Sequence, residues 1–321
     1  MSDRTREEEV EQEFDRLFQT GAYAEALDLV TREAHIFPEY AQKVIYSWRM
    51  NCACKLNDRA QTLRLLGEAV QAGYWYNSLK EDEDFALLHG DLEFERLADI
   101  CMERRAQAMA DAVPVLNTLA PERQSPPYPL LLALHGGGAT AATDHWLASV
   151  SHGWFLGVPQ SSQIYSPGVY TWNDWDWALH EVPQRYATIC ADHPIDQNRV
   201  VLAGFSQGGG LAAWLGLSRL IPARGLVLVG PFLAVPDHLI PILEKNGPYD
   251  LRAYIVAGTR DRYCYVVAQQ LAEMLPRYGI NCKLDVYEDL DHQFPLDFER
   301  KLPEALDFAL MDNIERDVAS C

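Results

Sequence analysis

One hydroxyl in this sequence has neighbours that a structural serine does not need. Ser206 lies in GFSQGGG, residues 204–210, between the apolar run Val200–Phe205 and the helix-compatible stretch Gly210–Ser218. A strand that turns straight into a helix forces its hinge residue into a sparsely populated backbone region and brings the two elements close together. Glycines at 204 and 208 remove the side chains that would collide there. The hinge hydroxyl then projects from the turn at a helix N-terminus, whose free N–H groups favour developing negative charge. That is the context the G-x-S-x-G nucleophile elbow requires. A phosphate loop is excluded because no G-K-[ST] follows, and a dinucleotide fingerprint because the glycine spacing is wrong.

A serine hydroxyl is a weak nucleophile until a base takes its proton. Of the nine histidines, His135, His145, His152 and His180 precede the serine. His292, in YEDLDHQFP, follows the last predicted strand, where a loop can reach back over a sheet. The chain order nucleophile, acid, base selects His292. The base needs a carboxylate to fix its tautomer, and Asp261, in YIVAGTRDRYC, stands directly after a predicted strand. Its neighbours Arg260 and Arg262 leave a plain surface ion pair as the alternative, while Glu288, Asp289 and Asp291 lie too near the histidine in sequence. A tetrahedral intermediate needs N–H donors for its oxyanion. The backbone of Gln207 is one, and Gly137 together with Gly138, in LLLALHGGG, supplies the other. His135 opens that loop and is read as shaping it.

These residues must be positioned by strands. The candidates are Leu130–Leu134, Phe155–Val158, Val200–Phe205, Gly225–Val229, Ala253–Ala257 and Lys283–Tyr287. Short apolar runs separated by helical patterns, such as Gly210–Ser218 and Val266–Tyr278, predict an α/β fold, a mostly parallel sheet with helices on both faces. Ligands bind such sheets beyond the C-terminal strand ends, which is where the residues above fall. After the second strand, Trp172, Trp175 and Trp177 either line an apolar cleft or pack a helix start into the core; Phe232, after the VLVG strand, is a further pocket candidate.

Residues 1–112 read differently, with helical spacing throughout. Gly21, Leu27, Val30 and Ala34 are echoed by Asn57, Leu63, Leu66 and Val70, a loose repeat of helical hairpins that resembles tetratricopeptide repeats. Residues 113–128 are read as a linker or edge segment, because Pro114, Pro121, Pro126, Pro127 and the following Pro129 resist helix and central strand alike. The catalytic domain is then 129–321. Acidic residues outnumber basic ones, 46 against 27, for a net charge of −19. That balance disfavours nucleic acid and anionic membranes as partners. No apolar run is long enough to span a bilayer, and the N-terminus lacks a secretory core. Seven unpatterned cysteines suggest reduced thiols and a cytoplasmic protein, with Cys52 and Cys54 as small core residues rather than metal ligands.

With HGGG at 135–138, GFSQGG at 204–209, Asp261 in AGTRD and His292 in DHQFP, residues 129–312 resemble the α/β-hydrolases. More narrowly they resemble the carboxylesterase/phospholipase group that includes acyl-protein thioesterases. The resemblance implies a serine carboxylesterase working through an acyl-enzyme on a small-molecule ester, without metal or organic cofactor. A thioester, lysophospholipid or amide substrate would use the same machinery. The contrasting reading is a silent hydrolase scaffold whose helical domain binds a protein partner or a second copy.

Overall fold

The computed structural model describes residues 6–38, 41–77, 79–112, 115–166 and 168–311. The first two residues of the expected linker and the end of the expected catalytic domain, 312–321 with Cys321, lie outside them. The chain divides into two compact units, Met1–Asp111 and Ala112–Cys321.

The first unit consists of helices α1 (Arg6–Gln19), α2 (Tyr23–Arg32), α3 (Gln42–Lys55), α4 (Arg59–Gln71) and α5 (Leu92–Asp111), with short 3-10 turns between them. Val10, Phe14 and Leu17 recur at one helical face and are buried with Leu27, Val30 and Ile45. Phe14 stacks on Trp48 with ring centroids 4.4 Å apart. The α1–α2 and α3–α4 hairpins close in the same way. Gly21 and Asn57 both adopt positive φ, 77° and 57°. The N–H that follows each bonds back to the preceding helix, Ala22 to Leu17 and Asp58 to Ala53, both at 2.9 Å. The echo between Gly21 and Asn57 is therefore one turn used twice. Thr62 fills the place of Ala26 in the second hairpin, its buried hydroxyl donating to the Asp58 carbonyl at 2.8 Å. Cys52 and Cys54 are buried in α3, and burial pushes each thiol up to about 11.

The second unit is built on a seven-stranded sheet in the order β1-β3-β2-β6-β7-β8-β9. The strands are β1 (Leu116–Leu119), β2 (Tyr128–Leu134), β3 (Phe155–Pro159), β6 (Ile195–Phe205), β7 (Gly225–Val229), β8 (Arg252–Gly258) and β9 (Asn281–Tyr287); β4 (Ile164–Ser166) and β5 (Val169–Tyr170) form a separate hairpin. All pairings in the large sheet are parallel except β1 with β3. Side chains alternate between two buried layers. Leu130, Leu132, Leu202 and Leu228 face α7 (Trp175–Asp192), α8 (Gln207–Leu217) and α10 (Arg262–Met274). Leu131, Val201, Val227 and Val256 face the layer of Trp146, Ala148 in α6 (Leu147–Ser151) and α11 (Phe298–Leu310). Where both faces are covered, in β2, β3, β7, residues 200–203 of β6 and residues 253–257 of β8, the strands read as continuous apolar runs, each buried leucine contributing about 1.5–3 kcal/mol.

Within the segment expected as a linker, Leu116–Leu119 form the edge strand β1, paired with β3 from Leu116↔Pro159 to Leu119↔Leu156. An edge position tolerates the flanking prolines. Among the described residues, no helix is long and apolar enough to cross a membrane.

Candidate active site

Ser206 sits where β6 turns into α8, with φ 54° and ψ −122°. Three backbone bonds hold it in that conformation. Its N–H donates to Val229 at 2.9 Å, and its carbonyl accepts from Phe232 at 2.9 Å and Gly210 at 3.1 Å. The crossing of strand and helix is tight enough that a Cβ on Gly204 would run into the Gly208 carbonyl, and one on Gly208 into the carbonyls of Leu134 and His135. Only glycine fits at these two positions.

His292 approaches from the loop after β9. Its Nε2 lies 2.8 Å from Ser206 Oγ and its Nδ1 2.5 Å from Asp261 Oδ2. With the carboxylate accepting from Nδ1–H, Nε2 is left to accept from the serine hydroxyl. Asp261 caps α10, its Oδ1 accepting from the Cys264 N–H at 3.1 Å. Burial pulls this carboxyl upward, but the hydrogen bond and charge of His292, with the Cys264 N–H, outweigh it and hold Asp261 below the ordinary carboxylate value. Arg260, one of the two arginines beside it in sequence, pairs with Asp289 at 3.0 Å. Asp261, Cys264 and His292 bring potential metal-ligating atoms within 4.8 Å of one another. The histidine and carboxylate are already bonded to each other, and burial, with Asp261 nearby, pushes the thiol up to about 12.

Gly137 faces Gln207: a Cβ there would come within 2.5 Å of the Gln207 amide oxygen. Gly138 departs from expectation. Its N–H donates to the Tyr170 carbonyl at 2.8 Å, where residues 138–139 bridge to β5, so it is committed to that bridge rather than to an oxyanion. The expected oxyanion donors narrow to Gly137 and Gln207.

His135 shapes the loop. It is buried, with Nδ1 2.8 Å from the Gly136 carbonyl and Nε2 accepting the Ser161 N–H at 3.1 Å. Burial lowers it from 6.5 to about 4, against a smaller upward pull from Gly136. Between those values the unfolded chain binds a proton that the folded one refuses. Stability contributed by neutral His135 is therefore complete above pH 6.5 and lost as pH falls toward 4, with a slope of up to about 1.4 kcal/mol per pH unit. Urea unfolding of His135→Gln should show a correspondingly shallower pH dependence over that window; an unchanged slope would assign the dependence elsewhere.

The tryptophans require a correction. Trp172 is fully buried, stacked on His135 with centroids 4.7 Å apart, and its indole N–H donates to the His135 carbonyl at 2.9 Å. It belongs to the core and not to a pocket. Trp175 packs edge-on against Trp214 at 5.5 Å. The cleft beside Ser206, about 370 Å³, is lined by Tyr165, Thr171, Asn173, Gln207 and Phe232, together with Gly137 and Gly138. Of the expected pocket residues, Phe232 alone reaches it. Tyr165, Thr171 and Asn173 were not anticipated, and their IYSPGVYTWND segment carried no signal beyond Trp172. Two other contacts escaped the sequence. Gly230, at φ 48°, lies against the Asp261–His292 pair, and the Phe205 ring sits 4.7 Å from that of His292.

Residues 185–308 match the family model described as Phospholipase/Carboxylesterase, and residues 11–109 match that of the A/B hydrolase-like N-terminal domain. No curated protein matches in sequence. Among solved structures, an uncharacterised protein from Bacillus cereus ATCC 10987 is similar at TM-score 0.53 and 23% identity, covering 94% of this chain and 97% of that one. Esterase PE8 is similar at TM-score 0.52 and 16% identity, covering 60% of this chain and 100% of that one. The second unit has the α/β-hydrolase fold, preceded by a helical domain, and the family matches support an ester hydrolase.

Proposed function

We propose that this chain, whose residues 11–109 and 185–308 match the A/B hydrolase-like N-terminal and Phospholipase/Carboxylesterase family models, is a serine hydrolase that cleaves carboxylic esters through an acyl-enzyme. The observation that carries the reading is the unbroken relay from Ser206 through His292 to Asp261, at 2.8 and 2.5 Å. Ser206 Oγ attacks the ester carbonyl while its proton passes to His292 Nε2. Asp261 holds the imidazole and stabilises the imidazolium that forms. The carbonyl oxygen, now an anion, accepts from the backbone N–H groups of Gln207 and Gly137; a donor of this kind is worth about 3–4 kcal/mol in known hydrolases. Collapse of the intermediate breaks the bond to the alcohol oxygen, which takes the proton from Nε2 and leaves. Water then attacks the acyl-enzyme, giving its proton to His292, and the second collapse releases the acid and returns the proton to Ser206.

The test is to catch the intermediate. After p-nitrophenyl acetate and an acid quench, the intact mass should rise by one acetyl group, mapped to the Ser206 peptide, with one equivalent of nitrophenol released in a burst. Turnover with neither burst nor acetylated Ser206 would overturn the reading.

A further inference from the structure

On the reading that Ser206 is the nucleophile, the cleft beside it bears on which acyl group is accepted. The alcohol oxygen must receive its proton from His292 Nε2, so the alcohol portion of an ester lies toward His292 and the acyl portion away from it. The lining of the cleft includes Ser206 and Gln207 but not His292, and the cleft is assigned to the acyl portion. Its walls carry oxygen and nitrogen. Thr171 Oγ1 lies 2.8 Å from Asn173 Oδ1 and 3.0 Å from Gln207 Oε1, the Trp172 N–H donates to the same Gln207 oxygen at 3.1 Å, and Gln207 Nε2 donates to Asn173 Oδ1 at 2.7 Å. The network fixes these polar groups in place before any substrate arrives. Tyr165 adds a phenol, and Phe232, stacked on Tyr263 with centroids 5.2 Å apart, adds the one apolar side chain. No aliphatic side chain lines the cleft among the described residues.

An apolar pocket gains about fourfold in affinity for each methylene it buries. Amides and hydroxyls beside the rings of Tyr165 and Phe232 give an alkyl chain less of that gain than an aliphatic pocket would, and the chain takes water from the polar groups. A substituent that hydrogen-bonds to the wall replaces that water. We infer that this protein hydrolyses esters of short acyl groups carrying a hydroxyl, in preference to esters of unsubstituted alkyl acids.

The probes are p-nitrophenyl butyrate, octanoate and 3-hydroxybutyrate, which share one leaving group. They are compared by kcat/KM on wild type and on Asn173→Leu, a change at an exposed side chain, after titration of Ser206 with a fluorophosphonate. The 3-hydroxybutyrate ester should exceed butyrate about tenfold, as one added hydrogen bond allows. Octanoate should fall below butyrate, and Asn173→Leu should reduce the hydroxyl preference to about twofold or less. A kcat/KM that climbs from butyrate to octanoate, or a hydroxyl preference untouched by Asn173→Leu, would overturn the inference while leaving the serine mechanism standing. Failure of Ser206 to titrate would remove the mechanism, and the inference with it.

Discussion

Ser206→Ala should lower kcat for a p-nitrophenyl ester by on the order of 10⁶, with the fold and melting temperature essentially intact. In the proposed mechanism the effect is large because one atom, Oγ, both attacks the carbonyl and carries the acyl group; the surviving donors of Gln207 and Gly137 would give only the residual acceleration of an oxyanion site. His292→Ala should cost about as much, and the double variant scarcely more than either single one, because nucleophile and base act as a unit. A loss of less than about tenfold in Ser206→Ala would mean that another group performs the chemistry. Additive losses in the double variant would mean that Ser206 and His292 work separately despite their 2.8 Å contact.

The second large effect falls on stability. In Gly204→Ala the new methyl group meets main-chain atoms of Gly208 and Gly209, which cannot yield as a flexible side chain would. To make room, α8 must move off β6 at the turn that orients Ser206. The expected cost is at the upper end for overpacking, about 3 kcal/mol. That corresponds to a fall in melting temperature of roughly 6–12 °C for a domain of this size. Calorimetry checks it, and activity should fall with it as the hinge is displaced. A shift under about 2 °C would show that the turn is looser than its contacts imply.

The parts of this arrangement that could be read from sequence share a physical origin. Residues 130–134 of β2, 200–203 of β6, 225–229 of β7 and 253–257 of β8 are buried on both faces, so each segment appears as an unbroken apolar run, and the residues after β6 and β8 could be placed at the sheet edge where ligands bind. The G-x-S-x-G spacing carried the backbone demand of the elbow in two glycines. The helical repeat showed through because Gly21 and Asn57 meet the same left-handed requirement. The failures also have causes. Trp172 and Phe232 were indistinguishable as pocket candidates, since an aromatic residue after a strand suits a core and a cleft equally well. What separates them is the contact of Trp172 with His135, far away in sequence. Gly138 was paired with Gly137 because nothing local shows that Tyr170 takes its N–H. The edge strand β1 and the β4–β5 hairpin are too short to leave a period. The polar network of Thr171, Asn173 and Gln207 depends on a loop folding back over the elbow, which no local pattern encodes.

The measurement that bears most directly on the central claim is active-site labelling with a fluorophosphonate probe, read by intact mass and peptide mapping in wild type and Ser206→Ala. The account predicts one probe per chain, attached to Ser206, and no labelling of the variant under the same conditions. Wild-type protein that is folded yet unlabelled, or a variant that labels as readily as wild type, would contradict it.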